Sequence, residues 1–480
     1  MTPGAAATPP FPGDVLWLEQ ALADEDGTAC APLAGRLATD VCIIGGGFTG
    51  LWTALELRQR HPDVGVALVE AAGCGFGASG RNGGWASGWF DALDGLLAHF
   101  PPDHAVWLAD EVATGIAQIG EIAATEGFDC GFRPMGGLWA AAAPAQLGAW
   151  GAAVAACRAL DRADRLELLG ADAVRARTGS PLLLGAARHP DAAAVHPGRL
   201  ARGLRRVALR RGVRLFEGSP VLRIVPGRPA IVQTLAGHVE ADQVVVAAGA
   251  WSASLLPQMA RAYAVIGTHI VATEPVAELL GDTPLARGEL LSDAQVSVHY
   301  AQVSPDQRMV FGRGFGRLGP GARVIPGHFA DRGLSRAIAA DLRRWFPQLA
   351  SAQITHAWGG PVDLTPTHLP FVATLGAHRN LHCGLGYSGN GVAPSVLVGR
   401  VLASVATAAD DAYAACALAA GPRAWWPPEP LARAGAAVVR AAVLRADGAE
   451  AQGHRAGPLS RGMRRLLTSQ RLSLPARRRP

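Results

Sequence analysis

Short, nearly unbroken apolar runs occupy 41–44, 64–69 and 244–248. Such runs read as strands covered on both faces, the pattern of a parallel sheet. Elsewhere the apolar residues take helical spacing. Leu51, Leu55 and Leu57 do so in 48–60, and Val106, Ala109, Val112, Ile116, Ile119 and Ile122 in 102–125. Helical patterning also covers 144–160, a stretch starting near Pro197, and 334–346. Alternation predicts a hairpin over 128–142 and short strands at 213–216, 221–225 and 231–234. Strands at 264–273, 295–302 and 308–312 predict an antiparallel sheet. A short amphipathic piece, 15–23, comes before all of these, and its Trp17 is expected to pack onto the main body.

This order predicts a nucleotide-binding fold interrupted twice. A lead-in spans 1–35. The nucleotide-binding domain takes 36–101, 190–255 and 352–426, a second domain takes 102–189 and 256–351, and 427–480 forms a C-terminal helix and basic tail. At 480 residues the chain exceeds one typical core.

The first of these segments carries the clearest chemistry. The run at 41–44 leads into Gly45, Gly47 and Gly50, a G-x-G-x-x-G spacing, and then into a helix. Gly45 permits the tight turn, Gly47 lets the backbone approach a pyrophosphate, and Gly50 lets helix and strand pack closely. The helix N-terminus, where Thr49 sits, offers free N–H groups to phosphates. Glu70 ends the second strand, where an acidic side chain accepts hydrogen bonds from a ribose. Strand, glycines, helix, strand and acid in this order predict a dinucleotide site.

Composition narrows the chemistry. All 44 Lys+Arg are arginine. Without lysine there is no Schiff base, which excludes pyridoxal phosphate and class I aldolase mechanisms. A Walker A lysine is missing too. The net charge of +5 is concentrated in a tail holding Arg461, Arg464, Arg465, Arg471, Arg477, Arg478 and Arg479. No aromatic residues interleave there, so the tail is expected to be solvated and no nucleic-acid partner is expected. Seven scattered cysteines without a C-x-x-C pair indicate neither a disulfide framework nor a metal site. No signal peptide or transmembrane run is recognised, and a cytoplasmic location is expected.

Three further stretches join the first unit: GASGRNGG at 77–84, DQVVVAAGAW at 242–251 and GLGYSGNGVAPS at 384–395. Together the four resemble the FAD-dependent amine and amino-acid oxidoreductases of the D-amino-acid oxidase superfamily, in particular the gamma-glutamylputrescine oxidase-like and aminophosphonate oxidoreductase-like branch. The resemblance covers roughly 37–455. It implies an α/β fold, with a discontinuous Rossmann-like FAD-binding domain of the GR2 type and an inserted α+β substrate domain on an antiparallel sheet.

The cofactor implied is noncovalent FAD. Gly45, Gly47, Thr49, Gly50 and Glu70 would hold its ADP half. Ser79, Arg81, Asn82, Gly83 and Gly84 would follow the ribityl chain to the ring. Val221 would meet the adenine edge, Gly249 would pass the pyrophosphate, and Gly386, Tyr387, Ser388, Gly389, Asn390 and Gly391 would lie by the pyrimidine end. The reaction implied is oxidation of a C–N bond, with hydride leaving for the flavin and water hydrolysing the imine. The partners implied are a small amine or amino acid and an electron acceptor, oxygen or another.

Two departures from the family stand out. Some branches place a lysine near the flavin for oxygen reduction, a role that here falls to Arg81, His269 or Arg313 unless oxygen is not the acceptor. Glycine-oxidase-like members clamp the substrate carboxylate with an arginine where this chain has Ser304. Arg313 either replaces that clamp or is a surface arginine. His269, His299 and Tyr300 are further pocket candidates on the substrate-domain strands. Three alternatives remain open at this level: an NAD(P)-dependent dehydrogenase, a D-amino-acid dehydrogenase serving a non-oxygen acceptor, and a non-catalytic flavoprotein.

Overall fold

A computed structural model describes residues 15–25, 27, 29–451, 454, 457, 462, 474 and 475. Most of the basic tail lies outside the described residues. The chain builds two eight-stranded sheets.

In the first sheet the strands run in the order Phe371–Leu375, Leu381–Leu385, Gly237–Val246, Gly35–Ile44, Val66–Val69 and Arg214–Phe216. All these neighbours are parallel except the first pair. A two-stranded ribbon, Arg223–Val225 and Ala230–Gln233, joins Gly237–Val246 antiparallel. The apolar run at 41–44 is buried at every position, because helices cover one face and loops the other. Helices Phe48–Arg60, Pro197–Arg210 and Pro394–Ala406 share one core with Pro102–Thr125.

The second sheet runs in the order Ile354–Leu364, Ala264–Pro275, Arg308–Arg313, His299–Val303, Leu290–Asp293, Gly137–Ala140, Gly185–His189 and Glu167–Gly170. It is antiparallel apart from one parallel pair, Leu290–Asp293 with Gly137–Ala140. Helix Arg332–Trp345 covers one face through Ile338, Leu342 and Trp345.

Several expectations change. The hairpin predicted over 128–142 is a single strand, Gly137–Ala140, which finds its partners at 290–293 and 185–189 instead of locally. The helix predicted over 144–160 contracts to Gly151–Ala159, after a 3-10 turn at Pro144–Gln146. Ile354–Leu364, placed by sequence at the start of the third nucleotide-binding segment, pairs along its length with Ala264–Pro275 of the second sheet. Helix Pro102–Thr125, assigned by sequence to the second domain, packs on the nucleotide-sheet side. Both differences arise because a connecting element joins whichever core covers its apolar face, whatever segment it follows.

Candidate active site

The glycine turn is built as close packing requires. Gly45 has φ +111°, and a Cβ there would sit 2.5 Å from the Ala247 carbonyl oxygen. A Cβ on Gly47 would come within 2.9 Å of Ser79 Oγ. At Gly50 it would collide with the Gly45 carbonyl. Gly47 is the N-cap of helix Phe48–Arg60, so the first-turn N–H groups converge beside these glycines. Glu70 accepts hydrogen bonds from Gly46 N–H (2.6 Å) and Ala72 N–H (2.9 Å). Burial pushes its carboxyl up from the ordinary value, against those two N–H groups. Ser219 N–H donates to the Glu70 carbonyl, which brings Val221 alongside. Val221 is half-buried just before its strand, which starts at Arg223 and not at 221. Gly249, at φ +50°, opens the turn that lays Trp251 over Gly77.

The 77–84 stretch links this cradle to the second sheet. Phe48 N–H donates to Ser79 Oγ (2.8 Å). Asn82 folds back on its own turn through Nδ2 to Ala78 and Ser79 carbonyls, and its Oδ1 accepts Gly84 N–H. Gly83 has no space for a side chain, since a Cβ would lie 2.7 Å from the Tyr300 ring.

Arg81 is 2% exposed and has no carboxylate partner among the described residues. Its Nε donates to the Phe76 carbonyl (2.7 Å), and one Nη reaches the Gly359 carbonyl at 3.4 Å. Its other terminal nitrogen is buried without a partner among the described residues. The guanidinium lies between the rings of Phe76 and Phe329, 4.9 and 5.0 Å from their centroids. Burial pulls its pKa down to about 10, so it stays charged at neutral pH.

The GYSGNG loop closes the opposite side. The Tyr387 hydroxyl meets Thr49 Oγ1 at 2.6 Å, tying this loop to the first helix. Gly386, Ser388 and Gly389 have φ of +93°, +56° and +95°. Asn390 N–H bonds back to the Tyr387 carbonyl, and Gly391 packs against the Tyr387 side chain. Asp363, which the sequence reading passed over, holds this loop: its Oδ2 accepts Gly386 N–H at 2.6 Å, and Tyr387 N–H also bonds it. Burial pushes Asp363 up to about 6, against those N–H groups. Its sequence signal is slight, an acid inside the otherwise uncharged WGGPVDLTPT.

The second sheet sorts the remaining candidates by face. Register partners in an antiparallel pair share a face, and the next residue takes the other. Tyr300 pairs with Gly312, and Gly312 with Ile270, on the face toward Gly83. His299, Arg313 and His269 pair one position over and so occupy the opposite face. Arg313 binds Asp341 Oδ2 (3.3 Å), and His299 is held between Asp293 (2.9 Å) and Asp341 (3.1 Å). His269 is fully buried beside Gly359, with both ring nitrogens unpartnered among the described residues, and burial lowers its pKa. Arg313 is therefore paired with a carboxylate and only 18% exposed, not an open surface arginine. His269 is a neutral core histidine on the far face. Ser304 sits in a turn where its Oγ donates to Asp306 Oδ1 (2.6 Å) and accepts Arg308 N–H.

A glycine cradle at a helix start, an acid at the next strand end and an unpaired buried guanidinium between two sheets define a dinucleotide-dependent enzyme with a separate substrate sheet. Residues 40–405 match the family model described as FAD dependent oxidoreductase, and the chain belongs to that family. It is 31% identical over 371 residues to the gamma-glutamylputrescine oxidoreductase of Escherichia coli, covering 77% of this chain and 84% of that one. Glycine oxidase from Geobacillus kaustophilus shares the fold with a TM-score of 0.65 at 22% identity, over 78% of this chain and 96% of that one. L-proline dehydrogenase from P. horikoshii does so with 0.63 at 18%, over 78% and 94%. The residues fit the family's cofactor, FAD, since the cradle excludes side chains where a pyrophosphate would approach and Arg81 retains a free donor at its end. No helix among the described residues is long and apolar enough to cross a membrane.

Proposed function

We propose that the chain oxidises the C–N bond of an amine or amino acid, with water hydrolysing the resulting imine. When bound, FAD supplies a two-electron acceptor for the hydride leaving the carbon next to nitrogen. Gly45, Gly47, Gly50 and the helix start would hold the diphosphate, and Glu70 would stand at the adenosine end. Asp363 fixes Gly386 and Tyr387, and so sets the N–H groups of the GYSGNG loop. Tyr300 walls the substrate side of Gly83.

Arg81 is the observation that carries this reading. Among the three cations considered for a charge near the reacting atoms, Arg313 is paired with Asp341 on the opposite face of the sheet and His269 is neutral by burial. Only Arg81 keeps an uncompensated charge, and it stabilises negative charge developing beside the glycine stretch. With no lysine in the chain, Arg81 is also the cation available to reduced oxygen, if oxygen is the acceptor.

Noncovalent attachment is supported by the cysteines nearest the cradle and the loop. Cys74 and Cys383 are fully buried, and burial pushes Cys74 up strongly and Cys383 up to about 12, so neither forms a thiolate readily.

The test is an anaerobic flavin-reduction screen with gamma-glutamyl amines, aminophosphonates, N-methyl amino acids and D-amino acids. Gamma-glutamyl amines head the panel because the Escherichia coli relative is named for one. Bleaching of bound flavin by an amine is expected. A flavin that none of these classes reduces would overturn the proposal, and flavin remaining with acid-precipitated protein would overturn noncovalent attachment.

A further inference from the structure

Three side chains from three separate parts of the chain donate to three consecutive carbonyls of the flavin-side stretch. Trp358 Nε1 donates to the Arg81 carbonyl at 2.8 Å. Trp17 Nε1 donates to the Asn82 carbonyl at 3.0 Å. Gln302 Nε2 donates to the Gly83 carbonyl at 2.7 Å and, with its second hydrogen, to the Val195 carbonyl at 3.2 Å. All three donors are buried, at 0%, 2% and 1% exposure for Trp17, Trp358 and Gln302. The two indoles also pack edge to face, 6.1 Å between centroids.

These bonds fix peptide planes as well as carbonyls. In a trans peptide the N–H points opposite to the C=O it shares a plane with. Asn82 N–H goes to the Ala78 carbonyl and Gly84 N–H to Asn82 Oδ1. Gly83 N–H has no partner among the described residues, and its plane is the one Trp17 holds. Trp17 draws the Asn82 carbonyl to its own side, so the Gly83 N–H faces away from the N-terminal helix.

We propose that Trp17, Trp358 and Gln302 are positioning residues for the cofactor, a three-donor brace that presets the 81–84 backbone for the flavin. The proposal rests on the FAD reading above. Trp17 lies outside the residues 40–405 that match the family, so the lead-in helix Leu16–Ala23 becomes part of the cofactor site. That helix is itself fastened to both domains. Arg199 binds Asp24 and Arg202 binds Glu25 on the nucleotide side, and Gln20 Nε2 donates to Asp306 on the substrate side. The unpartnered Oε1 of Gln302 shows that its carboxamide is turned to serve the two carbonyls at the expense of its own acceptor.

The test compares holoenzymes of Trp17→Phe, Trp358→Phe and Gln302→Met with Trp345→Phe. Each of the first three removes donors and retains an apolar side chain. Trp345 is equally buried, but its Nε1 has no partner, so its substitution reports packing alone. The expected result is flavin release about tenfold faster and a shifted flavin absorption band in the three brace variants, each of which loses one buried hydrogen bond to the 81–83 carbonyls. Trp345→Phe is expected to lower the thermal midpoint and leave the flavin band unmoved. Gln302→Met keeps the test open if an indole variant does not fold. A wild-type band and release rate in Trp17→Phe and Gln302→Met would overturn the brace. A colourless wild-type protein would overturn the FAD reading itself, which separates the two failures.

Discussion

Arg202 and Arg205 reach inward from helix Pro197–Arg210 and find carboxylates. Arg202 binds Glu25 and Glu217, and Arg205 binds Glu217. Arg81, as deeply buried, finds two carbonyls and two rings. The first pair is compensated charge that fastens the lead-in to the nucleotide domain. The second is charge left open. A buried cation is costly without an anion, so a fold that keeps one without supplying a carboxylate has left the anion to something that binds. Burial alone marks neither role; the presence or absence of a partner does.

Breaking the compensated side gives the largest effect expected. Arg202→Met leaves Glu25 without its cation and Glu217 with Arg205 alone, which costs about 3 kcal/mol. Urea unfolding of the variant measures it, and a loss below about 1 kcal/mol would mean the cluster is not the fastening described. At Arg81 the consequences reverse. Arg81→Met removes an uncompensated charge, so the urea midpoint stays put or rises, while anaerobic flavin reduction slows about a hundredfold. An Arg81→Met protein that loses stability but reduces at the wild-type rate would place Arg81 with the structural arginines.

How far the sequence shows this contrast depends on range. The cradle was legible because its residues are neighbours: glycines, helix start and Glu70 fall within one βαβ unit, each required by local geometry. Tyr300 and His269 were indistinguishable in sequence, both on predicted strands. Only the register, set by pairing with Arg308–Arg313 and Ile354–Leu364, sends one toward Gly83 and the other to the far face. Arg313 looked open for the same reason, because Asp341 lies 28 residues on, along a helix. Asp363 and Trp358 were missed because they belong to a strand expected in the other domain. Trp17 was expected to pack, and does, but its hydrogen bond spans 65 residues and has no local signature.

Asp363 sharpens the comparison from the acid side, as a buried carboxylate whose partners are N–H groups and not an arginine. Its pKa rises from 3.8 to about 6 because burial outweighs those N–H groups. A folded state that holds the proton more tightly than the unfolded chain gains stability fully present below 3.8 and lost as pH rises through about 6. Asp363→Asn is expected to flatten that part of the profile, a difference on the order of 3 kcal/mol across the window. Urea midpoints of the two apoproteins, taken at steps through the window, measure it. Parallel profiles would show that Asp363 titrates as an ordinary carboxylate.

The smallest effect isolates burial within a single helix. Arg199 and Arg202 lie one turn apart on Pro197–Arg210, and each binds an acid of the lead-in, Asp24 and Glu25. The side chains of Arg199 and Asp24 are 27% and 50% exposed, whereas those of Arg202 and Glu25 are 6% and 10% exposed. Water and salt screen the first pair and not the second. Arg199→Ala is therefore expected to cost about 0.5 kcal/mol or less, shrinking further at high salt, against several for Arg202→Met. The same urea series at low and high ionic strength tests both. If the two substitutions cost alike, burial would not be what separates a structural arginine from a marginal one, and the case for Arg81 as an open charge would lose its reference point.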